Sequence, residues 1–172
     1  MSLNLSPLRI RAADCPSQPW KNGGGVTREL LTYPSKEDWQ LRISVADITQ
    51  NGAFSRFDGV SRAFAVIEGA GVRLQFLDHL CTVTQDSEPL MFDGGDAPNC
   101  MLIDGATRDL NVMCKTGRQA NLGKAYGCEE RACRGLFLIE DQSLQWHEQT
   151  TKMQAPKSPN ENQYVGWWID FL

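Results

Sequence analysis

The sequence predicts an all-β protein, a sandwich or barrel, and three observations carry that reading. Helical periodicity is almost absent along the 172 residues. Short apolar runs, alternating or continuous, recur between clusters of Gly, Pro, Asn and Asp, as strands between turns do. A chain of this length with 41% hydrophobic residues can bury roughly 70% of its unfolded surface, enough for a true core in one compact domain.

Taken in order, the candidate strands are 8–12, 26–32, 39–48, 63–68, 72–77, 80–84, 90–92, 101–103, 110–113, 136–139, 143–146 and 165–172. The segment VIEGAGVRL reads as a hairpin: Gly69 and Gly71 supply positive φ between two apolar runs, so the strands ending at Glu68 and starting at Val72 are expected to pair antiparallel. RGLFLIEDQSLQW reads as a second hairpin. Charged and turn-forming residues dominate 115–134, and QAPKSPNENQ at 154–163 is polar and Pro-rich, so both are expected to be loops. The chain then divides softly into a larger N-terminal β half, about residues 1–113, and a smaller C-terminal half, about 114–172, sharing one continuous core.

Composition excludes several functions. No run approaches the roughly 20 apolar residues of a spanning helix, and MSLNLSPLRIR lacks the apolar block and small-residue cleavage site of a secretory leader. A cytoplasmic protein without a membrane partner is expected. Seventeen Lys and Arg against twenty-one Asp and Glu give a net charge of -4, which argues against nucleic acid as a partner. Two histidines, His79 and His147, leave little for an imidazole metal cluster, and no two of the six cysteines (15, 81, 100, 114, 128 and 133) have C-x-x-C spacing. No metal and no cofactor are expected, and the cysteines are expected to be free thiols. Cys114 has no base beside it in sequence, which makes it a weak nucleophile candidate.

Strand alternation sorts the polar residues. In WQLRISVADI, Trp39, Leu41, Ile43 and Val45 share an apolar face, while Gln40, Arg42, Ser44 and Ala46 share the other. One face belongs to the core; the other meets solvent or a polar cavity. In RDLNVM, Leu110 and Val112 oppose Asp109, Asn111 and Met113. In PWKNGGGVTRELL, Thr27 and Glu29 share a face that Arg28 cannot reach, so if Thr27 and Glu29 look inward Arg28 is expected to make a structural ion pair or to close the barrel edge. Gly23, Gly24 and Gly25 match neither a P-loop nor a dinucleotide fingerprint. A tight turn setting Trp20 and Asn22 against the next strand is the expected use.

PWKNGGGVTREL at 19–30, LRISVADI at 41–48, GAFSRFDGVSRAFAVIEGAGVRL at 52–74 and RDLNVM at 108–113 together resemble the HutD/Ves family of cupin-like proteins. Trp20, Asn22, Gly25, Thr27, Arg28 and Glu29 match the W-x-N-x-x-G-x-T-R-E pattern. The resemblance implies a cupin-like (bicupin, double-stranded β-helix) fold of two β-barrel halves, the second reduced. It also implies a cupin without the usual metal site. HutD members are thought to bind a histidine-catabolism intermediate, N-formimino-glutamate, and restrain pathway flux; Ves members are described as stress- or cold-induced.

Faces and motifs together place a polar pocket in the N-terminal barrel, lined by Asn22, Thr27, Glu29, Arg42, Ser44, Arg62 and Asn111. Arg42 and Arg62 can each hold a carboxylate, Glu29 a formimino or amino cation, and the amide and hydroxyl groups can orient the ligand. The alternative for Arg62 is an ion pair with Asp58 or Glu68, and for Arg42 a solvated sheet face. Three functions follow: a metal-free binding protein or regulator for a small carboxylated metabolite; a metal-independent enzyme with Glu29 as acid or base; and an interaction module whose C-terminal aromatic strand, with Trp167 and Trp168, forms a homodimer or partner interface.

Overall fold

A computed structural model describes residues 7–160 and 163–172. Its strands are β1 (Leu8–Arg11), β2 (Ser17–Pro19), β3 (Gly25–Tyr33), β4 (Leu41–Ile48), β5 (Gly52–Ala53), β6 (Val60–Glu68), β7 (Val72–Gln75), β8 (Leu80–Val83), β9 (Leu90–Asp93), β10 (Asn99–Leu102), β11 (Thr107–Lys115), β12 (Ala120–Tyr126), β13 (Glu130–Leu138), β14 (Ser143–Gln154) and β15 (Tyr164–Phe171). The only helical pieces among the described residues are 3₁₀ turns at Ala12–Asp14 and Gly94–Asp96. No helix there is long and apolar enough to cross a membrane.

The strands form three antiparallel sheets. A six-stranded sheet has the order β2-β3-β4-β11-β6-β9, a four-stranded sheet β5-β10-β7-β8, and a five-stranded sheet β1-β14-β13-β15-β12. Alternation on β4, β6 and β11 explains their stacking. Leu41, Ile43, Val45, Ala63, Ala65, Leu110 and Val112 point to one side and pack against Phe137, Leu144, Trp146, Trp167 and Ile169 of the five-stranded sheet. Ile48, Phe64 and Val66 point to the other side, against Val72, Leu74, Val83 and Cys100 of the four-stranded sheet. Each large side chain taken from water here contributes about 1.5–3 kcal/mol. The six-stranded sheet is therefore the middle layer, held from both faces. Buried side chains form separate clusters instead of one continuous core: the backbone of the middle sheet divides the first two, and that of the five-stranded sheet sets Leu136 and Trp168 apart from Phe137 and Trp167.

Two expectations need correction. The strands flanking Gly69 and Gly71 do not pair with each other: β6 lies between β11 and β9, and β7 between β10 and β8. Both glycines do have positive φ, +93° and +107°. Their segment is a corner between sheets, pinned where Thr107 Oγ1 meets the Gly71 backbone at 3.2–3.3 Å and Gln85 Nε2 donates to the Gly69 carbonyl at 3.0 Å. The local hairpin instead joins β7 and β8, with His79 at its tip. The stretch 115–134 is not all loop. It contains β12 and the start of β13, whose polar residues pair with β15 and β14 far away in sequence. RGLFLIEDQSLQW is the hairpin it was expected to be, with Leu138 opposite Ser143.

The C-terminal strand is used inside the molecule. β15 runs between β13 and β12, Trp167 is fully buried against the middle sheet, and Trp168 is 2% exposed in a small cluster with Cys133, Leu136 and Met153. Neither tryptophan is available as an interface side chain. β1 lies in the same sheet, with Leu8 opposite Trp146.

Candidate functional site

A pocket of about 190 Å³ opens on the polar side of the middle sheet. That is below the roughly 300–1,000 Å³ of most ligand clefts, a size for a small metabolite. β4 contributes Arg42, Ser44 and Ala46, β11 contributes Asp109, Asn111 and Met113, and both sets are the polar faces read from alternation. β6 adds Arg62 and β3 adds Thr27. Gln18, Pro19 and Trp20 come from β2 and the turn after it, and Phe54, Ser55 and Phe57 from the segment before β6.

The glycine turn builds one wall. Trp20 N donates to the Gly25 carbonyl at 2.9 Å, Gly23 N to the Trp20 carbonyl at 3.0 Å, and Thr49 N to the Gly24 carbonyl at 2.9 Å. A Cβ at Gly25 would run into the Asp47 carbonyl oxygen, so only glycine permits this approach. The turn fixes Trp20, whose Nε1 donates to Thr27 Oγ1 at 2.8 Å. Asn22 serves the turn itself: its Oδ1 accepts from Gly24 N at 2.9 Å, and it is not among the lining residues.

Of the seven residues read from the sequence, Thr27, Arg42, Ser44, Arg62 and Asn111 line the pocket. Glu29 stands beside it, with Oε2 2.9 Å from Arg42 Nε. The N–H of Nε does not aim at that oxygen, so the contact is an ion pair without an aligned hydrogen bond. Arg28 faces away and pairs with Asp47 at 2.7 Å, the structural role expected of it. Burial opposes ionisation of Asp47, but hydrogen bonds from Arg108 and Arg28 outweigh it and hold the carboxyl below its usual range.

Arg62 is 4% exposed and touches neither Asp58 nor Glu68, which pair with Arg56 and Arg108. Its guanidinium lies 5.0 Å from the ring centres of Phe54 and Phe92 and 5.9 Å from that of Phe57, an aromatic collar that favours the cation while excluding water. Nε donates to Asn111 Oδ1 at 3.4 Å, and Nη1 is buried with no partner. Desolvation pulls its pKa down to about 10, with Asp109 opposing and Arg42 reinforcing the shift. It remains a cation at neutral pH.

Asp109 and the aromatic collar were not in the sequence-derived set. Asp109 was legible as a neighbour of Asn111 on the polar face of RDLNVM. Phe54, Phe57 and Phe92 carry no such signal, since two lie in an irregular segment and the third in a short edge strand.

Cupins commonly hold a metal through histidines, and the donor set here does not fit one. Neither histidine lines the pocket: His79 stacks on Phe76 at 4.6 Å with Nδ1 2.6 Å from Asp78, and His147 lies on β14. Among the described residues no three His, Cys, Asp or Glu side chains converge as metal ligands. All six cysteines are free thiols; Cys114 is buried, and burial pushes its thiol pKa up, so it lacks the thiolate of a nucleophile.

The HutD family model matches residues 12–157, a span that contains every residue of the pocket. The chain belongs to the HutD family. It is similar to an uncharacterized 21.2 kDa protein in the hutC 3′ region of Pseudomonas putida, 38% identical over 118 residues covering 63% of this chain and 59% of that protein. It is also similar to protein Ves of Citrobacter koseri, 34% identical over 105 residues covering 60% of this chain and 55% of Ves. The matched segments thus span under two thirds of either relative. HutD from Pseudomonas fluorescens SBW25, solved in a formate condition, superposes with a TM-score of 0.74 at 24% identity, covering 96% of this chain and 98% of that one. A conserved protein of unknown function from Pseudomonas aeruginosa PAO1 gives 0.76 at 24% identity over 95% and 98%. An oxalate decarboxylase variant from Bacillus subtilis gives 0.51 at 15% identity over 66% of this chain and 31% of that one, a likeness of fold alone. The HutD-family chain is all-β and cupin-like.

Proposed function

We propose that this HutD-family protein binds a small carboxylated, nitrogen-bearing metabolite through its own side chains, without a metal, and acts as a binding protein or metabolic regulator. One observation carries the reading: Arg62, nearly fully buried on the pocket wall, keeps an unpartnered Nη1 inside its aromatic collar. A buried donor on a cation costs more to leave unmade than an ordinary hydrogen bond yields, so a carboxylate is the natural occupant beside it. Arg42 adds a second cation partly balanced by Glu29. Thr27, Ser44 and Asn111 supply hydroxyl and amide groups for the nitrogen end, and Trp20, Phe54, Phe57 and Met113 line the apolar side. The family resemblance makes N-formimino-glutamate the first candidate.

An enzymatic role for Glu29 has less support, since its carboxylate is engaged by Arg42 and lies off the pocket wall. A thermal-shift series with N-formimino-glutamate, urocanate, histidine, glutamate and dicarboxylates tests the proposal. Binding at 100 times Kd stabilises the fold by about 2.7 kcal/mol, a readily measured rise in Tm. No shift with any of them sinks it, and a stoichiometric transition metal in the purified protein sinks the metal-free part.

A further inference from the structure

Asp109 has no part in the binding scheme above, yet it is the most confined charged side chain in the pocket. It stands within β11 at 2% exposure, opposite Ala46 of β4 and Val66 of β6, whose side chains offer no hydrogen bond. Its Oδ2 is buried without a partner. The titratable groups that act on it are Arg62 from β6 and Cys100 from β10 on its own side, and Asp47 from β4, which points to the opposite side of the sheet and acts through the field alone. Asp47 is already committed to Arg28 and Arg108. Arg62 is the attractive neighbour, but among the described residues no ion pair within 4.0 Å joins the two.

A carboxylate buried without an ion pair or donors is among the costliest arrangements in a protein. The same group as a neutral acid is far cheaper and carries an O–H donor. Burial first, then Asp47, push the carboxyl up, against the pull of Arg62, to about 8. With Asp109 neutral, Arg62, Arg42 and Glu29 leave one net positive charge around the pocket; ionised, it cancels that charge.

We propose that Asp109 keeps its proton in the unliganded protein and donates it as a hydrogen bond to the carboxylate that Arg62 holds, making anion binding proton-linked. The inference rests on the carboxylate reading of the pocket. It assigns Asp109 as a specificity residue that prefers an anionic ligand end to a cationic one, because an amidinium or ammonium gains nothing from an O–H donor.

Isothermal titration with N-formimino-glutamate and with glutarate, from about pH 6 to about pH 9.5, tests this on the intact chain. The expected Kd is flat on the acid side and weakens roughly tenfold per pH unit above about 8. In that alkaline range the heat of binding varies with the ionisation enthalpy of the buffer, showing uptake of up to one proton. Asp109→Asn, which keeps a neutral donor, gives a flat Kd and no uptake. Binding by the wild type without proton uptake overturns the inference and leaves the proposed function standing. No binding of either probe at any pH overturns both. Should the variant fail to fold, the buffer dependence of the wild type alone decides.

Discussion

Arg42 Nε lies 2.9 Å from Glu29 Oε2, across the β3–β4 pair, so one of the two arginines at the pocket is partly neutralised by its own strand neighbour. That pairing leaves Arg62 as the dominant cation on the pocket wall. It also makes Glu29 a brake on anion binding. Glu29→Gln is expected to tighten binding of N-formimino-glutamate several-fold at low salt, with the gain shrinking as salt rises. The cost in stability is about 1 kcal/mol or less, since both side chains are partly solvated. Calorimetry at two ionic strengths and urea unfolding check both parts; an unchanged low-salt Kd would show that Glu29 does not screen the pocket.

Arg62→Met separates binding from folding. The substitution fills similar space among Phe54, Phe57 and Phe92 and removes a desolvated cation that no ion pair among the described residues compensates, so the fold sheds a burial penalty and gives up one long hydrogen bond to Asn111. Tm is expected to hold or rise while the thermal response to carboxylates disappears. A normal response in a folded Arg62→Met protein would place the ligand elsewhere.

Two glycines with positive φ are expected to differ sharply in their tolerance of a side chain. Gly71 (φ +107°) sits where a Cβ would collide with the Val83 carbonyl oxygen, whereas Gly23 (φ +73°) has nothing within 4 Å of that position. Gly71→Ala is expected to cost more than about 3 kcal/mol, through strain plus displacement of β8. Gly23→Ala pays the backbone term alone, about 1 kcal/mol. Chemical denaturation of the two variants measures the difference.

Stability should carry the signature of Asp109. Its folded pKa, about 8, lies above the ordinary carboxyl value, so the folded protein binds more protons than the unfolded chain between those limits. The contribution is fully present below the unfolded pKa of about 3.9 and is lost as pH rises through about 8. Asp109→Asn should therefore gain on the wild type from about pH 4 to about pH 8 and stop gaining above that. Tm of both proteins across this range, without ligand, reports it; parallel curves would mean that Asp109 titrates normally.

The pocket was legible in the sequence wherever one strand carried the information. Alternation along WQLRISVADI and RDLNVM separated Arg42, Ser44 and Asn111 from Leu41, Ile43, Leu110 and Val112, and the structure puts the two groups on opposite faces of the middle sheet. What it could not state is what lies across from each face. Alternation put Asp109 on the polar face with Asn111, but not the burial that leaves its carboxyl at 2% exposure. β12 escaped because Asn121, Gly123 and Lys124 give no alternation, and its partner β15 is recruited from the far end of the chain. The Gly69 and Gly71 turn was read correctly as a turn and incorrectly as a hairpin, because local residues fix a reversal while distant Thr107 and Gln85 fix where the chain goes next.

The position of β1 bears on how the molecule is made. Leu8 to Arg11 pair with Trp146 to Ser143, so a strand that precedes the rest of this fold in sequence has no partner until β14 has been made. The apolar side of the middle sheet waits equally long for Phe137, Leu144 and Trp167. Contacts of such long range are slow to form and leave sticky intermediates exposed. The first half released alone, cut after Met113, would carry a bare hydrophobic sheet and an orphan strand, and would be handed to chaperones or aggregate before any ligand could find its pocket.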